Sequence, residues 1–229
     1  MSRAAELVYG RRAVREALHG RREVLELLAT ERAAREDWAR KPKIVAEKVL
    51  TELAGTRDHQ GVVARVEPFR YADAYELAKG EPLLVVLDQV TDPRNLGAVI
   101  RSAEGAGATG IVLPADNSAR VTPAVARSSA GAVEHLPIGV VTNLARYLKE
   151  IKGPHLWVYA ADADGTPMAQ TDMSGGLCLV FGAEGKGLRP LVRRSCDAAV
   201  SIPLAGRVAS LNVSVAAAVL LYEAQRQRG

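Results

Sequence analysis

Three polar segments of the chain combine residue types that suit ligand binding, and each follows a predicted strand. They cover positions 88–103 (DQVTDPRNLGAVIRSA), 181–188 (FGAEGKGL) and 202–216 (IPLAGRVASLNVSVA). Ligands of open α/β sheets gather at the carboxyl ends of the strands. The segments therefore lie where a ligand site is expected in such a fold.

The side chains within these segments are individually ambiguous. Asn95 and Arg101 lie within two helical turns of a predicted strand end, and they also fit an N-cap asparagine and a surface arginine. The three glycines around Glu184 allow close approach of the backbone to a ligand, but they also fit a plain turn. Ser210 and Asn212 are candidate N-caps of the last helix. Each segment alone is better explained by ordinary local structure.

From position 83 onward, apolar runs typical of strands alternate with helical segments. Helix starts are readable at Thr122-Pro123, at Thr142 and near Leu211. Continuous apolar strands separated by helices predict an α/β fold with a parallel sheet covered by helices on both faces. The predicted strands are 83–87, 111–113, 136–141, 156–160, 177–181 and 198–202.

The first third of the chain is of mixed α and β character. A helix is predicted from Ala13, an amphipathic helix over 44–53 and a strand over 61–66. Low apolar density between Pro68 and Pro82 marks a boundary. The predicted organisation is a domain over 1–70, a linker over 71–82 and a second domain over 83–229.

Composition excludes several classes of protein. The longest apolar run, 215–222, is far short of the roughly 18 residues that suggest a membrane span. No secretory signal is predicted at the start of the chain. Cys178 and Cys196 lie in apolar segments, which argues against a disulfide scaffold and favours a reduced, cytoplasmic protein. No metal site is predicted, because the four histidines lack the spacing of metal ligands. These histidines are His19, His59, His135 and His155.

Two glycine-rich segments fail the tests for known phosphate-binding motifs, although the first has the G-x-G-x-x-G spacing. The segment 105–110 (GAGATG) follows a predicted helix and precedes a strand, whereas a dinucleotide fingerprint follows a strand and opens a helix. Its expected role is to end a helix. The segment 182–187 (GAEGKG) lacks the spacing and the Ser or Thr of a P-loop. A serine nucleophile elbow is absent from the sequence.

The excess of positive charge lies in the first third of the chain. Residues 1–70 hold 15 basic and 11 acidic residues, whereas the remainder is balanced. Most of these cations are arginine, which suits bidentate phosphate contacts, although a solvated helical surface explains them about as well. A net charge of +4 is weak support for nucleic-acid binding.

Taken together, the three polar segments closely resemble the signature motifs of the SpoU (TrmH-like) branch of the SPOUT RNA methyltransferases. The resemblance covers about 83–226. The segments 9–18 (YGRRAVREAL) and 59–64 (HQGVVA) are similar to the opening and close of the small ribosomal-protein-like RNA-binding domain of the two-domain members. That domain is typical of the bacterial enzymes that methylate a guanosine ribose in 23S ribosomal RNA.

The resemblance implies methyl transfer from S-adenosylmethionine to a ribose 2′-hydroxyl of RNA, on a fold with a C-terminal trefoil knot. Arg101 matches the catalytic arginine of the family, and Asn95 is expected to position it or an RNA phosphate. A guanidinium does not readily lose its proton, so electrostatic stabilisation of an incipient alkoxide is favoured over a role as base. The residues implied in cofactor binding are Gly182, Glu184, Ile202, Leu204, Ser210, Leu211 and Asn212.

The family members act as homodimers with the active site near the subunit interface. A broad face of the last helix suits a partner or the core of the same chain, and it comprises Val213, Ala216, Ala217, Leu220 and Leu221. RNA recognition is expected in the first third, with four arginines as candidates. These are Arg11, Arg12, Arg21 and Arg22.

Two other functions remain open at this point. The same chemistry fits a tRNA target, or an rRNA adenosine whose methylation confers antibiotic resistance. A non-catalytic RNA-binding or ribosome-assembly protein would keep the fold, but the motif residues of the three segments argue against it.

Overall fold

The computed structural model describes residues 5–229, which divide into two compact units. One unit holds the described part of 1–70 together with 120–135, and the other holds 71–119 and 136–229. The break near position 70 lies at the predicted boundary. Two features differ from the expected organisation: residues 71–82 belong to the second unit rather than to a free linker, and 120–135 belongs to the first unit.

The helices and strands alternate along most of the chain, apart from four short 3-10 turns. In chain order they are β1 Glu6–Tyr9, α1 Arg11–His19, β2 Val24–Ala29, β3 Lys43–Ile44, α2 Glu47–Ala54, β4 Val62–Val66, β5 Leu83–Asp88, α3 Pro93–Gly105, β6 Gly110–Pro114, α4 Pro123–Ser128, β7 Ile138–Val141, α5 Leu144–Glu150, β8 Leu156–Pro167, β9 Gly176–Gly182, α6 Pro190–Arg194, β10 Ala198–Ser201 and α7 Val213–Arg228.

The first unit is a small α+β structure around a four-stranded sheet in the order β1-β4-β2-β3. Strand β4 is antiparallel to both β1 and β2, and β2 is parallel to the short β3. Leu50 of α2 packs with Leu28 and Val63 in its core. Helix α2 begins three residues later than predicted, because positions 43 and 44 pair with β2 instead.

The segment 120–135 is held in the first unit by a buried ion pair. The Arg22 guanidinium donates from Nε to Oε2 of Glu134 at 2.9 Å and from a second nitrogen to Oε1, and both side chains are at least nine-tenths buried. Within the segment, Thr122 caps α4 and Pro123 occupies its first turn, as predicted. Burying two charges requires that they stay paired, so this contact fixes where the segment packs.

The second unit contains a six-stranded sheet in the order β10-β8-β9-β5-β6-β7, in which all neighbouring strands are parallel. Alternate strand residues such as Val86, Val158 and Val180 pack against Tyr147 of α5 and Val192 of α6. The intervening residues point to the opposite face, and α3 and α7 pack against each other. The expected α/β fold, with a parallel sheet covered by helices, is confirmed.

Several helix ends differ from the sequence expectation. Asn143 rather than Thr142 caps α5, and Asp92 rather than Asn95 caps α3. Asn212 caps α7, so that helix begins at Val213 instead of Leu211. Within residues 5–229, no helix combines the length and apolarity that crossing a bilayer requires.

Most of the α7 face that was expected to suit a partner is core of this chain. Four of its five residues are buried within the single chain: Val213, Ala217, Leu220 and Leu221. Helix α7 instead exposes Val215 and Tyr222, which are 47% and 52% accessible and lie two turns apart on the same side.

Candidate functional site

The three polar segments meet at the carboxyl edge of the parallel sheet. Strands β5 and β9 run in register until Asp88 lies opposite Gly182, and the first two segments continue from these two residues. The third segment follows β10 and leads to the N-cap of α7. Parallel strands end on the same edge, so the topology brings the segments together as predicted.

The residues that follow β9 form a tight loop, here called the glycine loop (182–188). Its backbone closes on itself, since the Gly187 amide donates to the Ala183 carbonyl at 2.9 Å. Gly185 and Gly187 adopt φ of 73° and 63°, which favours glycine. A Cβ on Gly182 would lie 2.2 Å from the carbonyl carbon of Gly187. Any larger residue at position 182 would therefore displace the loop.

Asn95, Glu184 and Asn212 form one hydrogen-bonded cluster, with one residue from each polar segment. Asn95 Nδ2 donates to Glu184 Oε1 at 2.9 Å, and Asn212 Nδ2 donates to the same oxygen and to Asn95 Oδ1. The other amide oxygen, Asn212 Oδ1, accepts from the Ser214 amide and hydroxyl at the start of α7. Glu184 thus links the glycine loop to α3 and to the N-cap of α7.

A cleft of about 340 Å³ opens on one side of this cluster and is called the amide cleft. Gln89 and Asn117 line it and have positive φ of 60° and 54°, which is uncommon for residues other than glycine. The lining residues are Gln89, Val90, Thr91, Asp92, Asn95, Asn117, Ala183, Glu184, Lys186 and Val213. Its polar lining suits hydrogen bonding to a polar substrate.

A second cleft, the glycine cleft, has a volume of about 520 Å³ and shares Ala183, Glu184 and Val213 with the amide cleft. Its other residues are Ala161, Phe181, Gly182, Gly185, Gly187, Ser210, Leu211, Asn212 and Ala216. An adjoining apolar pocket of about 150 Å³ shares Ser210 and Leu211 with it and includes Ile202 and Leu204. All seven residues expected to bind the cofactor line these two spaces.

Comparison with known proteins identifies the family of the chain. A model of the SpoU rRNA methylase family matches residues 82–222, and a model of the RNA 2′-O ribose methyltransferase substrate-binding domain matches residues 7–72. This chain belongs to the SpoU rRNA methylase family. The two matched ranges follow one another along the sequence, and the substrate-binding range ends two residues beyond the break between the two units.

Relatives of this SpoU methylase include enzymes named for ribosomal RNA. The 23S rRNA (guanosine-2′-O-)-methyltransferase RlmB of Shewanella oneidensis is 46% identical over 193 residues, which cover 81% of this chain and 78% of the relative. An uncharacterized tRNA/rRNA methyltransferase of Synechocystis is 40% identical over 99% of this chain, which spans only 64% of that relative. The SpoU methyltransferase AviRb of Streptomyces viridochromogenes, solved with AdoMet, superimposes with a TM-score of 0.81 at 30% identity over 98% of this chain and 91% of AviRb.

The SpoU methylase is an RNA methyltransferase that uses S-adenosylmethionine, and its SPOUT fold implies the expected C-terminal trefoil knot. The glycine cleft and the apolar pocket fit this cofactor. Their volume lies in the range of small-molecule sites, and the bare backbone of the glycine loop allows the close contact that adenine edges require.

Arg101 lies apart from both clefts. It is six residues beyond Asn95 on α3, which places it about 9 Å further along the helix and on a different side. Its side chain is exposed, and among residues 5–229 it has neither an ion pair nor a hydrogen bond. The structure of one chain therefore does not bring Arg101 into the cluster around Glu184.

The four arginines predicted to contact RNA differ in exposure and in their partners. Arg12 and Arg21 are exposed, and no acidic partner is found for either within the described residues. Arg11 is half-buried and pairs with Glu36 at 2.8 Å. Arg22 is buried against Glu134, so its expected role in RNA contact is corrected to a structural one.

Two features of the site were missed by sequence reasoning. Asp88 is wholly buried at the end of β5 and forms an ion pair with Arg189, which follows the glycine loop. An aspartate that ends an apolar strand run is a weak signal for such a contact. The positive φ of Gln89 and Asn117 had no sequence signal apart from the tolerance of asparagine for that conformation.

The two cysteines do not supply a nucleophile to this site. Burial raises the pKa of the Cys178 thiol well above its ordinary value and raises that of Cys196 to about 11. Since the thiolate is the reactive form, both thiols are inert near neutral pH.

Proposed function

We propose that this protein transfers the methyl group of S-adenosylmethionine to the ribose 2′-hydroxyl of a guanosine in 23S ribosomal RNA. The observation that carries the proposal is the cluster of Asn95, Glu184 and Asn212, which forms the wall between a cofactor-sized cleft and a polar cleft. Relatives named as 23S rRNA guanosine methyltransferases favour this target over tRNA. We also propose that the enzyme acts in rRNA processing in the cytoplasm.

The residues of the site divide into those that bind the cofactor and those that act on the RNA. Bound S-adenosylmethionine supplies an electrophilic methyl group. Gly182, Ile202 and Leu211 would hold it mainly through backbone and apolar contacts, with Leu204, Ser210 and the cluster around Glu184 in support. Asn95 would orient the RNA, and the positive charge of Arg101 would stabilise the 2′-oxygen as it loses its proton.

Labelled S-adenosylmethionine tests the proposal directly. The protein is incubated with unmodified ribosomal RNA or with bulk tRNA, and the modified ribose is mapped. We expect label on the 2′-oxygen of a single 23S guanosine. Label confined to tRNA or to an rRNA adenosine would retain the chemistry and overturn the target. No label with RNA binding intact would instead favour a non-catalytic RNA-binding protein.

We propose that the first unit binds the RNA and that Arg12 and Arg21 contact its phosphates. Replacing both with glutamine should weaken binding of a 23S fragment and lower the slope of log affinity against log salt by about two, one for each lost phosphate contact. Lys48→Gln is the control, since this exposed cation already has a carboxylate neighbour in Glu52. An unchanged salt slope in the double variant would contradict the assignment.

We further propose that the active enzyme is a homodimer in which exposed apolar residues of α7 meet a second copy. Val215 and Tyr222 support this because they are large apolar residues exposed on one side of α7. The position of Arg101 also supports it, since Arg101 lies apart from the clefts of its own chain. In a dimer, Arg101 of one subunit could complete the site of the other. Light scattering should give twice 24.4 kDa for the protein and a single copy for Val215→Asp combined with Tyr222→Asp. Leu191→Asp on α6 is the control. A monomeric parent protein would contradict the proposal.

A further inference from the structure

An ion pair beside the clefts is formed by two residues, Asp88 and Arg189, that line neither of them. Asp88 is fully buried at the end of β5, and both of its carboxylate oxygens are occupied by Arg189. Oδ2 accepts from the Arg189 backbone amide at 2.9 Å, and Oδ1 accepts from Nε at 2.8 Å and lies 2.7 Å from a terminal guanidinium nitrogen. One carboxylate therefore fixes both the backbone and the side chain of Arg189.

These contacts hold the two ends of the glycine loop at one point. The loop begins at Gly182, which lies opposite Asp88 in the β5–β9 register, and Arg189 directly follows its last residue. Arg189 is also the N-cap residue of α6, whose Arg193 amide donates to the Arg189 carbonyl at 2.9 Å. The loop thus begins at Gly182, beside Asp88 in the sheet, and is followed by Arg189, which is hydrogen-bonded to Asp88.

We propose that Asp88 and Arg189 are positioning residues for methyl-donor binding, because their ion pair closes the glycine loop in the shape that lines the glycine cleft. Glu184 lies within that loop and contacts Asn95 and Asn212 from it. The ion pair thereby sets the geometry of the wall between the two clefts without touching either ligand.

The chemistry of the pair explains why it suits this role. A buried carboxylate without a partner is strongly unfavourable, so Asp88 keeps Arg189 in place. The planar guanidinium makes two directed contacts to one carboxylate group, which restrains orientation as well as distance. A loop that is already ordered loses less conformational entropy when a ligand binds. Without the ion pair the loop would be less ordered, so affinity for the methyl donor should fall.

Arg189→Met tests the proposal, because methionine keeps the apolar stem and removes the guanidinium. Lys152→Met is the matched control, since it breaks the ion pair between Lys152 and Asp197, which is 2.6 Å long and also partly buried but lies outside the glycine loop. Arg189→Lys keeps the charge but loses the paired contacts of two guanidinium nitrogens with the Asp88 carboxylate. The dissociation constant of S-adenosylmethionine is measured by calorimetry without RNA, and thermal unfolding is measured in parallel. Hydrogen exchange of the peptide that covers 182–188 reports directly on the loop.

We expect Arg189→Met to raise the dissociation constant about tenfold, which corresponds to one charge-assisted hydrogen bond. The exchange of the loop should become faster, and saturating S-adenosylmethionine should restore its protection. Arg189→Lys should show a smaller rise, and Lys152→Met should lose thermal stability with unchanged affinity. In turnover, KM for the donor should rise while kcat changes less than about threefold.

Wild-type affinity and wild-type loop exchange in Arg189→Met would overturn the proposal, even if the variant unfolds at a lower temperature. The pair would then stabilise the fold only. The same conclusion would follow if Lys152→Met lost as much affinity as Arg189→Met. The binding and exchange measurements contain no RNA, so their outcome is independent of whether a 23S guanosine is the target.

Discussion

The Arg101→Ala variant is expected to lose methyl transfer by about 10²–10³-fold in kcat, the size of the effect seen when one electrostatic donor to a developing oxyanion is removed. Its affinity for S-adenosylmethionine should stay at the wild-type value, because Arg101 lines neither the glycine cleft nor the apolar pocket. Single-turnover methylation of 23S RNA with the donor in excess measures the first quantity, and calorimetry measures the second.

Arg194→Ala is the matched control for this prediction. Like Arg101, Arg194 is exposed and lacks an ion pair among the described residues, but it lies on α6 outside the three polar segments. Its removal should leave the rate unchanged. A rate within threefold of wild type in Arg101→Ala would mean that the charge of Arg101 is not used in the reaction. Arg101→Lys should retain more activity than Arg101→Ala, since it keeps the positive charge.

The parallel sheet of the second unit could be predicted because its strands are continuous apolar runs with readable breaks. Residues such as Val85, Leu179 and Val200 are buried on a sheet covered by helices, so the apolar signal is strong. Helix ends were predicted less well. Thr142 and Asn143 are both good caps, and only the packed position of α5 decides that Asn143 accepts the Arg146 amide.

The residues predicted to bind the cofactor line neighbouring clefts because their segments follow strands that end on one edge. Their placement follows from the order of the strands and from backbone geometry, as at Gly182 and Leu211. Long-range ion pairs left no comparable signal in the sequence. Arg22 and Glu134 are 112 positions apart, and Asp88 and Arg189 are 101 apart. In the sequence each of these residues resembles an ordinary surface charge, although the fold buries Arg22, Glu134 and Asp88.

The unit boundary shows the same limitation. The segment 120–135 lies within the range that matches the methylase model, yet it packs with the first unit. The Glu134 carboxylate and the contacts of α4 with β1 place it there. Neither the composition nor the periodicity of 120–135 distinguishes it from its neighbours, so sequence reasoning assigned it to the second domain.

Glu134→Gln is expected to destabilise the first unit by about 3–5 kcal/mol, the usual cost of removing one partner from a buried ion pair. The Arg22 guanidinium would keep the partly exposed carboxylate of Glu6 at 2.9 Å and the face of Phe69, but it would lose its fully buried carboxylate partner. The two tryptophans allow the units to be followed separately, since Trp38 is buried in the first and Trp157 is exposed in the second. With Trp157 replaced by phenylalanine, urea unfolding followed by Trp38 fluorescence should shift to lower urea.

Two comparisons decide whether the buried charge is the cause. Glu26→Gln removes a carboxylate that pairs with Arg65 at the surface of the same unit, and it should cost less than about 1 kcal/mol. Replacing Arg22 and Glu134 together with methionine should restore much of the stability, because no unpaired charge is then left buried. Equal losses in Glu134→Gln and Glu26→Gln would contradict the prediction. Destabilisation of the Trp38 transition by the single variant, with recovery in the double variant, would support the role of this ion pair in holding 120–135 in the first unit.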